Sequence, residues 1–312
     1  MVGLSVVIPV YNEVESLDIL YQKITESLKH AGSYEIVFVD DGSTDGSFEL
    51  MKQIQASSKN IHVIKLRDNY GKSIALSQAF SRLAGDVIAT IDADLQDDPS
   101  EIPALISKLD EGYDLVVGWR HLRKDGPSKK IPSIIYNRLM KTIFNTKLHD
   151  SNCGLKVFRK SISRIKLYGE LHRYLPVLAS MLGYKVTEVK VMHSPRLYGK
   201  SKYGAGRIFK GFMDLISVKF LLSYSNKPLH FFGLIGLLSS SLGIITSSYL
   251  VYLRYLGQKI GDRPLLILAV LLLILGVQFI SLGLIAELIT NRSYGGFRPQ
   301  DISEYQVEQV ID

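Results

Sequence analysis

Two long stretches without charge constrain this chain more than any other feature. No Asp, Glu, Lys or Arg occurs from Leu229 to Leu253, and none from Leu265 to Ala286. Each stretch exceeds the roughly 20 apolar residues that a helix needs to cross a bilayer. A buried helix of a soluble protein is seldom that long and that apolar. The expectation is two transmembrane helices, about 229–253 and 265–289, in a membrane region 229–290. Gly233, Gly236, Gly243 and Ser239, Ser240 and Ser241 lie in the first span. They suit close helix packing, or are simply tolerated by lipid. Before the spans, Ile208, Phe209, Phe212, Leu215 and Ile216 alternate with Lys210, Asp214 and Lys219. That pattern reads as an amphipathic interfacial segment, 205–228. Residues 1–204 form a separate domain, and 291–312 a polar tail.

Met1 leads almost directly into the strand-like Leu4-Ser5-Val6-Val7-Ile8, so no signal peptide is expected. Two spans put both termini on one side. Arg207, Lys210, Lys219, Lys227, Arg292 and Arg298 flank the spans there, against Arg254, Lys259 and Arg263 in the connecting region. The excess favours a cytoplasmic position for the domain and both termini. The single cysteine, Cys153, excludes an internal disulfide. The net charge of +7 suits an anionic membrane surface. Nucleic acid is not an expected partner, since zinc spacings, RNP motifs and basic heptads are lacking.

The first 120 residues alternate between two hydrophobic periods. Strands are expected at Leu4–Pro9, Tyr34–Val39, Ile61–Leu66, Asp86–Ile91 and Leu115–Val117. Helices are expected at Val14–Lys29, Asp45–Ala56, Ser73–Leu83 and Ser100–Glu111. The order predicts an α/β domain built on a mostly parallel sheet with helices on both faces. Neither G-x-G-x-x-G after the first strand nor a P-loop occurs, which argues against those phosphate-binding modes.

Polar clusters follow four consecutive strands: Pro9-Val10-Tyr11-Asn12-Glu13, Asp40-Asp41-Gly42-Ser43-Thr44-Asp45, Arg67-Asp68-Asn69-Tyr70-Gly71-Lys72 and Asp92-Ala93-Asp94-Leu95-Gln96. The carboxyl ends of parallel strands border the ligand crevice of open α/β sheets. Asp pairs are common in turns, but four such clusters in order point to a site. Asp92 and Asp94 offer the oxygen ligands that suit Mg²⁺ or Mn²⁺ held jointly with substrate phosphates. A basic stretch follows (Arg120, Arg123, Lys124, Lys129, Lys130, Arg138 and Lys141), and a helix is expected from Pro132 to Phe144.

With these ordered motifs, residues 4 to about 203 resemble glycosyltransferase family 2, whose fold is the Rossmann-like GT-A fold. The two C-terminal spans make the closest resemblance the polyisoprenyl-phosphate glycosyltransferases, such as bactoprenol glucosyltransferases and dolichol-phosphate mannose synthases. That resemblance implies transfer of one sugar from a nucleotide sugar to a polyprenyl phosphate at the cytoplasmic face of a bacterial inner membrane. Glucose from UDP-glucose is the favoured donor. GDP-mannose, UDP-GlcNAc, UDP-galactose and UDP-amino-arabinose are the alternatives, and a non-catalytic membrane scaffold is a further reading. A homo-oligomer is also expected.

Family roles carry over by motif. Pro9, Tyr11, Asn12 and Glu13 border the nucleoside, and either Asp40 or Asp41 accepts a hydrogen bond from base or ribose. Lys72 lies near the donor. Asp92 contacts ribose or donor sugar. Asp94 and Gln96 hold Mg²⁺ or Mn²⁺. Arg120 meets the acceptor phosphate, with Lys129, Lys130 and Arg138 as further candidates. Ser201 and Lys202 belong to a loop, Arg196–Lys202, that closes over the diphosphate. Asp150, in Asp150-Ser151-Asn152-Cys153-Gly154, orients the acceptor, assists the metal or acts as base. Cys153 reads as inert packing, and Glu287 as reaching the membrane interface. A processive synthase is disfavoured, because Trp119 is the only tryptophan and lacks a Gln-x-x-Arg-Trp context.

Overall fold

A computed structural model describes residues 3–29, 31–121, 137–144, 146, 148–195, 215–220, 224, 227–261 and 263–293. The chain divides into two compact units, Met1–Leu215 and Ile216–Asp312.

Among the described residues, the first unit is built on seven strands: β1 (Leu4–Val10), β2 (Tyr34–Asp40), β3 (Ile61–Lys65), β4 (Val87–Thr90), β5 (Leu115–Arg120), β6 (Lys156–Arg159) and β7 (Val186–Val191). They form one sheet in the order β3-β2-β1-β4-β6-β5-β7. β1 pairs in parallel with β2 on one side and with β4 on the other. Strand order therefore reverses at β1, which opens a crevice at the carboxyl ends of β1 and β4. β6 runs antiparallel to both β4 and β5. The sheet is mixed and mostly parallel, the GT-A arrangement. Val6, Val7, Ile8, Ile36, Phe38, Val39, Ile88 and Ala89 are almost fully buried. A strand covered on both faces carries such a continuous apolar run.

The helices are α1 (Val14–Ser27), α2 (Ser47–Ala56), α3 (Lys72–Phe80), α4 (Ile102–Asp110) and α5 (Leu175–Met181). The first four lie within a few residues of the predicted positions. The expected Ser100–Glu111 helix instead starts as a 3₁₀ turn, Pro99–Glu101, capped where Asp98 Oδ1 accepts from the Ser100 N–H at 3.1 Å. β6 and β7 are not predicted. β6 has four residues, too few for periodicity to register, and it opens on a lysine. β7 is half-buried along most of its length and alternates poorly. The segment 205–214 and residues 201 and 202 lie outside the described residues.

In the second unit, α6 (Pro228–Tyr255) and α7 (Pro264–Ser293) are each long and apolar enough to cross a membrane. Large apolar side chains on both stand exposed, among them Ile245 at 65% and Ile267 at 74%. A soluble core helix would bury such residues, whereas lipid accepts them. The helices pack along small residues. A Cβ on Gly236 would lie 2.7 Å from the Gly276 carbonyl oxygen, and one on Gly276 would lie 2.0 Å from Ser240 Oγ. Gly236, Gly243 and Ser240 of the first span therefore serve close packing. Glu287 Oε2 accepts the Leu229 N–H at 3.2 Å, tying the end of one helix to the exposed first turn of the other.

A direct consequence concerns Gly276. Gly276→Ile should separate the helices and lower the detergent-solubilised chain's thermal midpoint by several degrees, a change of roughly 1–3 kcal/mol. Gly233→Ile should be nearly silent, because a Cβ there meets nothing closer than the Leu229 side chain at 3.6 Å. Equal midpoints in a thermal melt would contradict this packing.

Candidate active site

The loops after β1 and β2 are sewn into one wall. The Asn12 N–H donates to Ser43 Oγ at 3.0 Å, and the Thr44 N–H donates to Asn12 Oδ1 at 2.7 Å. The Glu13 N–H reaches Ser47 Oγ at 3.0 Å. Asp45 accepts from the Val14 N–H through Oδ2 and from the Ser47 N–H through Oδ1, so one carboxylate serves the starts of α1 and α2. These bonds hold the Asp45 carboxyl below its ordinary range against the opposing effect of burial. Gly42 is required where it stands. Its φ is +75°, and a Cβ would lie 2.6 Å from the Asp68 backbone carbon.

Asp40 and Asp41 separate by role. Asp41 accepts the Tyr70 N–H at 2.8 Å through Oδ1 and the Gly71 N–H at 3.0 Å through Oδ2. It thereby fixes the loop that delivers Lys72. Burial raises the Asp41 carboxyl above its usual range, these two bonds oppose the rise, and the nearby Asp40 and Asp68 add to it. Asp40 is fully buried, and its Oδ1 accepts the Ser43 N–H at 3.1 Å. Its Oδ2 is buried without a hydrogen bond among the described residues. A buried acceptor left in that state is costly unless a ligand supplies the donor.

After β4, half-buried Asp92, Asp94 and Gln96 alternate with buried Ala93, Leu95 and Asp97. Leu95 has φ +59° and Asn12 φ +54°, the two positive-φ non-glycine residues among those described. Both lie in crevice loops, where strain of this kind is commonly stored. The Gln96 N–H donates to Asp94 Oδ1 at 3.2 Å. Lys72 forms an ion pair with Asp92. Burial opposes the Asp92 charge, but Lys72, Lys156 and Arg120 together keep this carboxyl below the ordinary range. Gly154 must lack a side chain, since a Cβ there would lie 2.7 Å from Asp92 Cγ and 2.9 Å from Asp97 Oδ2.

At the end of β5, Arg120 holds Asp150 with a two-pronged bond, Nε to Oδ2 at 2.7 Å and Nη2 to Oδ1 at 3.0 Å. Both side chains are nearly buried, at 13% and 4% exposed. Burial opposes the guanidinium charge, but Asp150 and Asp97 raise its pKa overall. The fork uses Nε and Nη2 and leaves Nη1 outside it. Cys153 is buried. Burial first, then Asp97, pushes its thiol far above the usual range, so it is neutral.

Three groups here are absent from the motif reading. Buried Lys156 donates to the Cys153 carbonyl oxygen. Burial and the charge of Lys72 push its pKa down to about 8, with Cys153 and Asp92 opposing. A lysine opening a buried strand is the signal that sequence offered for it. His172 joins the crevice from the 3₁₀ turn Leu171–Arg173, and nothing in its local sequence marks it. Asp97 pairs across a β-bridge with His193, and the Ser194 N–H donates to the Gln96 carbonyl at 2.9 Å. Pro9, Tyr11 and Glu13 are half-buried at the end of β1. Arg138 is exposed on the helical stretch 137–144. Lys129, Lys130, Ser201 and Lys202 lie outside the described residues.

These charged side chains gather in a crevice at a strand-order reversal. Residues 5–165 match the family model described as glycosyl transferase family 2. The chain belongs to glycosyltransferase family 2. Among its curated relatives, dodecaprenyl-phosphate galacturonate synthase of Rhizobium johnstonii is 38% identical over 99% of this chain and 93% of that protein. Undecaprenyl-phosphate 4-deoxy-4-formamido-L-arabinose transferase of Salmonella paratyphi B is 38% identical over 98% of this chain and 93% of that protein. Two solved structures share the fold at 17% identity. Mannosyl-3-phosphoglycerate synthase of Rubrobacter xylanophilus gives a TM-score of 0.55, covering 70% of this chain and 74% of that one. Glucosyl-3-phosphoglycerate synthase of Mycobacterium tuberculosis with Mn²⁺ and UDP-glucose gives 0.54, covering 70% and 78%. This family 2 chain is thus a glycosyltransferase related over nearly its full length to sugar transferases that use polyprenyl phosphate.

The residues present fit a divalent cation of one type. No cluster of three or more His, Cys, Asp or Glu placed to hold a metal occurs among the described residues. Asp94 and Gln96 supply oxygen atoms at the crevice, and Asp92 is paired with Lys72. Such a set suits Mg²⁺ or Mn²⁺, which bind through one or two carboxylates completed by substrate phosphates.

Proposed function

We propose that this family 2 enzyme transfers one sugar, with inversion, from a nucleoside diphosphate sugar to polyprenyl phosphate. The observation that carries the reading is the pairing of Arg120, an always-charged anion-binding edge, with the Asp92–Asp94 loop across one crevice. Two anions must meet there, and this arrangement supplies separate positive partners for each.

Asp40 Oδ2 takes a donor hydrogen from the nucleoside, and Asp41 keeps the Tyr70–Lys72 loop in place. Asp94 and Gln96 hold Mg²⁺ or Mn²⁺, which, when bound, supplies Lewis-acid neutralisation of the leaving diphosphate. Arg120 binds and orients the acceptor phosphate. That phosphate is a monoester with a second pKa of about 6, so it is mostly dianionic at neutral pH. One of its oxygens forms the bond to the anomeric carbon as the bond to the diphosphate oxygen breaks. The leaving group takes the electron pair, and no protein base is needed. An α-linked donor gives a β-linked lipid sugar. Asp150 acts through Arg120, holding the guanidinium plane. The two apolar helices anchor the chain in a bacterial inner membrane with the catalytic unit cytoplasmic.

UDP-glucose is the donor favoured by the resemblance to the bacterial glucosyltransferases. The relatives' named sugars, galacturonate and 4-deoxy-4-formamido-L-arabinose, support a different order. Lys72 and Lys156 both lie close to Asp92. The galacturonate synthase is 38% identical over 99% of this chain, so a galacturonate donor is placed first. The experiment supplies purified enzyme with Mn²⁺, undecaprenyl phosphate and labelled UDP-galacturonate, UDP-4-deoxy-4-formamido-L-arabinose or UDP-glucose. Organic-phase label that requires the lipid supports the reading, and the best donor names the sugar. Label confined to the aqueous phase for every donor would overturn it.

A further inference from the structure

His172 has a place in the crevice that no family motif assigns. Its backbone N–H donates to Ser73 Oγ at 3.1 Å, and the same oxygen lies 2.9 Å from its ring Nδ1. Ser73 is fully buried and directly follows Lys72, which pairs with Asp92. One hydroxyl thus fixes both the backbone and the ring of His172 beside the residue that meets Asp92. The hydroxyl accepts from the backbone N–H, so its own proton is available to Nδ1. The imidazole proton then resides on Nε2. The charges around the ring agree with a neutral state. Burial, then Lys72, Arg173 and Lys156, hold His172 well below the ordinary histidine range. Asp92 is the carboxylate of the same corner, bound to Lys72 and close to Lys156. Nε2 makes no hydrogen bond to the described residues, and it is not among the buried atoms lacking a partner.

We propose that His172 is a specificity-determining residue whose Nε2–H donates a hydrogen bond to the transferred sugar, with Ser73 fixing the tautomer. The inference rests on the donor-sugar reading of the Lys72–Asp92 corner. The chemistry is selective in a useful way. A neutral imidazole donates without adding charge beside two lysines, so it distinguishes a sugar oxygen from the diphosphate, which the cations bind. A site built around such a donor discriminates strongly against a ligand that lacks the matching acceptor.

Two variants and one spectrum test it. His172→Phe keeps the bulk and removes the donor, and His172→Gln returns an N–H near the Nε2 position. For the preferred UDP-sugar, His172→Phe should raise KM by about tenfold or more, while the inhibition constant of UDP alone changes less than about twofold. His172→Gln should recover much of the loss. In ¹⁵N-histidine-labelled full-length enzyme, the His172 signal should show the Nε2-protonated neutral tautomer from pH 6 to 8. It should shift on adding the UDP-sugar and stay in place with UDP.

A merely structural histidine would change UDP and UDP-sugar binding together and lower thermal stability in both variants. That outcome, or a His172 signal indifferent to the sugar, overturns the proposal. The spectrum needs no turnover. A sugar-dependent shift without lipid transfer would sink the acceptor reading and leave His172 in its role.

Discussion

Asp94→Asn will reduce sugar transfer to lipid by about a thousandfold or more, on the scale expected when a residue stabilising the departing charge is lost. The thermal midpoint will move little. Asp94 is half-buried, and its described bond, from the Gln96 N–H to Oδ1, can be kept by an amide oxygen. The distinction matters because a cation held by Asp94 and Gln96 would depend on each. No three-carboxylate or histidine cluster backs up Asp94 among the described residues. The same sparse donor set predicts how metal binds. Mn²⁺ alone should bind weakly, and UDP should tighten it by supplying the remaining oxygens. Titration of free Mn²⁺ by paramagnetic resonance, with and without UDP, measures that coupling. Tight Mn²⁺ binding without nucleotide, unchanged in Asp94→Asn, would contradict the assignment.

Arg120→Ala will be damaging in two separable ways. The bidentate pair with Asp150 is nearly buried, at 13% and 4% exposed. Removing the arginine takes the two-pronged partner from a buried carboxylate, and breaking a buried ion pair costs about 3–5 kcal/mol in comparable cases. On the proposed reading it also removes the group that meets the acceptor phosphate, for a further loss of about a hundredfold or more in transfer. Replacing both partners at once, Arg120→Met with Asp150→Leu, separates the effects. The double variant should regain most of the lost stability, since apolar pairs often replace buried ion pairs without penalty. It should remain inactive toward polyprenyl phosphate while still binding UDP. Recovery of transfer along with stability would assign the pair a structural role only.

The sequence makes the donor side of this enzyme far more readable than the acceptor side, and the reason is physical. Strands β1 to β4 alternate with helices at regular spacing, and each ends in a polar cluster that must face the crevice by topology. Even so, the residue types do not separate Asp40 from Asp41. Their roles divide through a loop 29 residues away, where Tyr70 and Gly71 donate to Asp41 alone. Beyond β5 the local signal fades. β6 is four residues long and inserts between β4 and β5 against chain order. That insertion carries Lys156 toward Asp92 and places Asp150 against Arg120. His172 reaches Ser73 across 99 positions, a contact that no periodicity encodes. The uncharged helices are legible at once, but the role of their glycines is not. The close approaches of Gly236 to Gly276 and of Gly276 to Ser240 distinguish packing from tolerance.

The most direct test of the account follows the phosphorus of the lipid. ³¹P spectra of undecaprenyl phosphate, with purified enzyme and Mg²⁺, would be recorded before and after adding UDP-galacturonate, with the other two UDP-sugars in parallel. The account predicts that the monoester signal is replaced by a phosphodiester signal, with one UDP released per diester formed. An unchanged monoester with every donor, or UDP release matched only by free sugar in water, would contradict it.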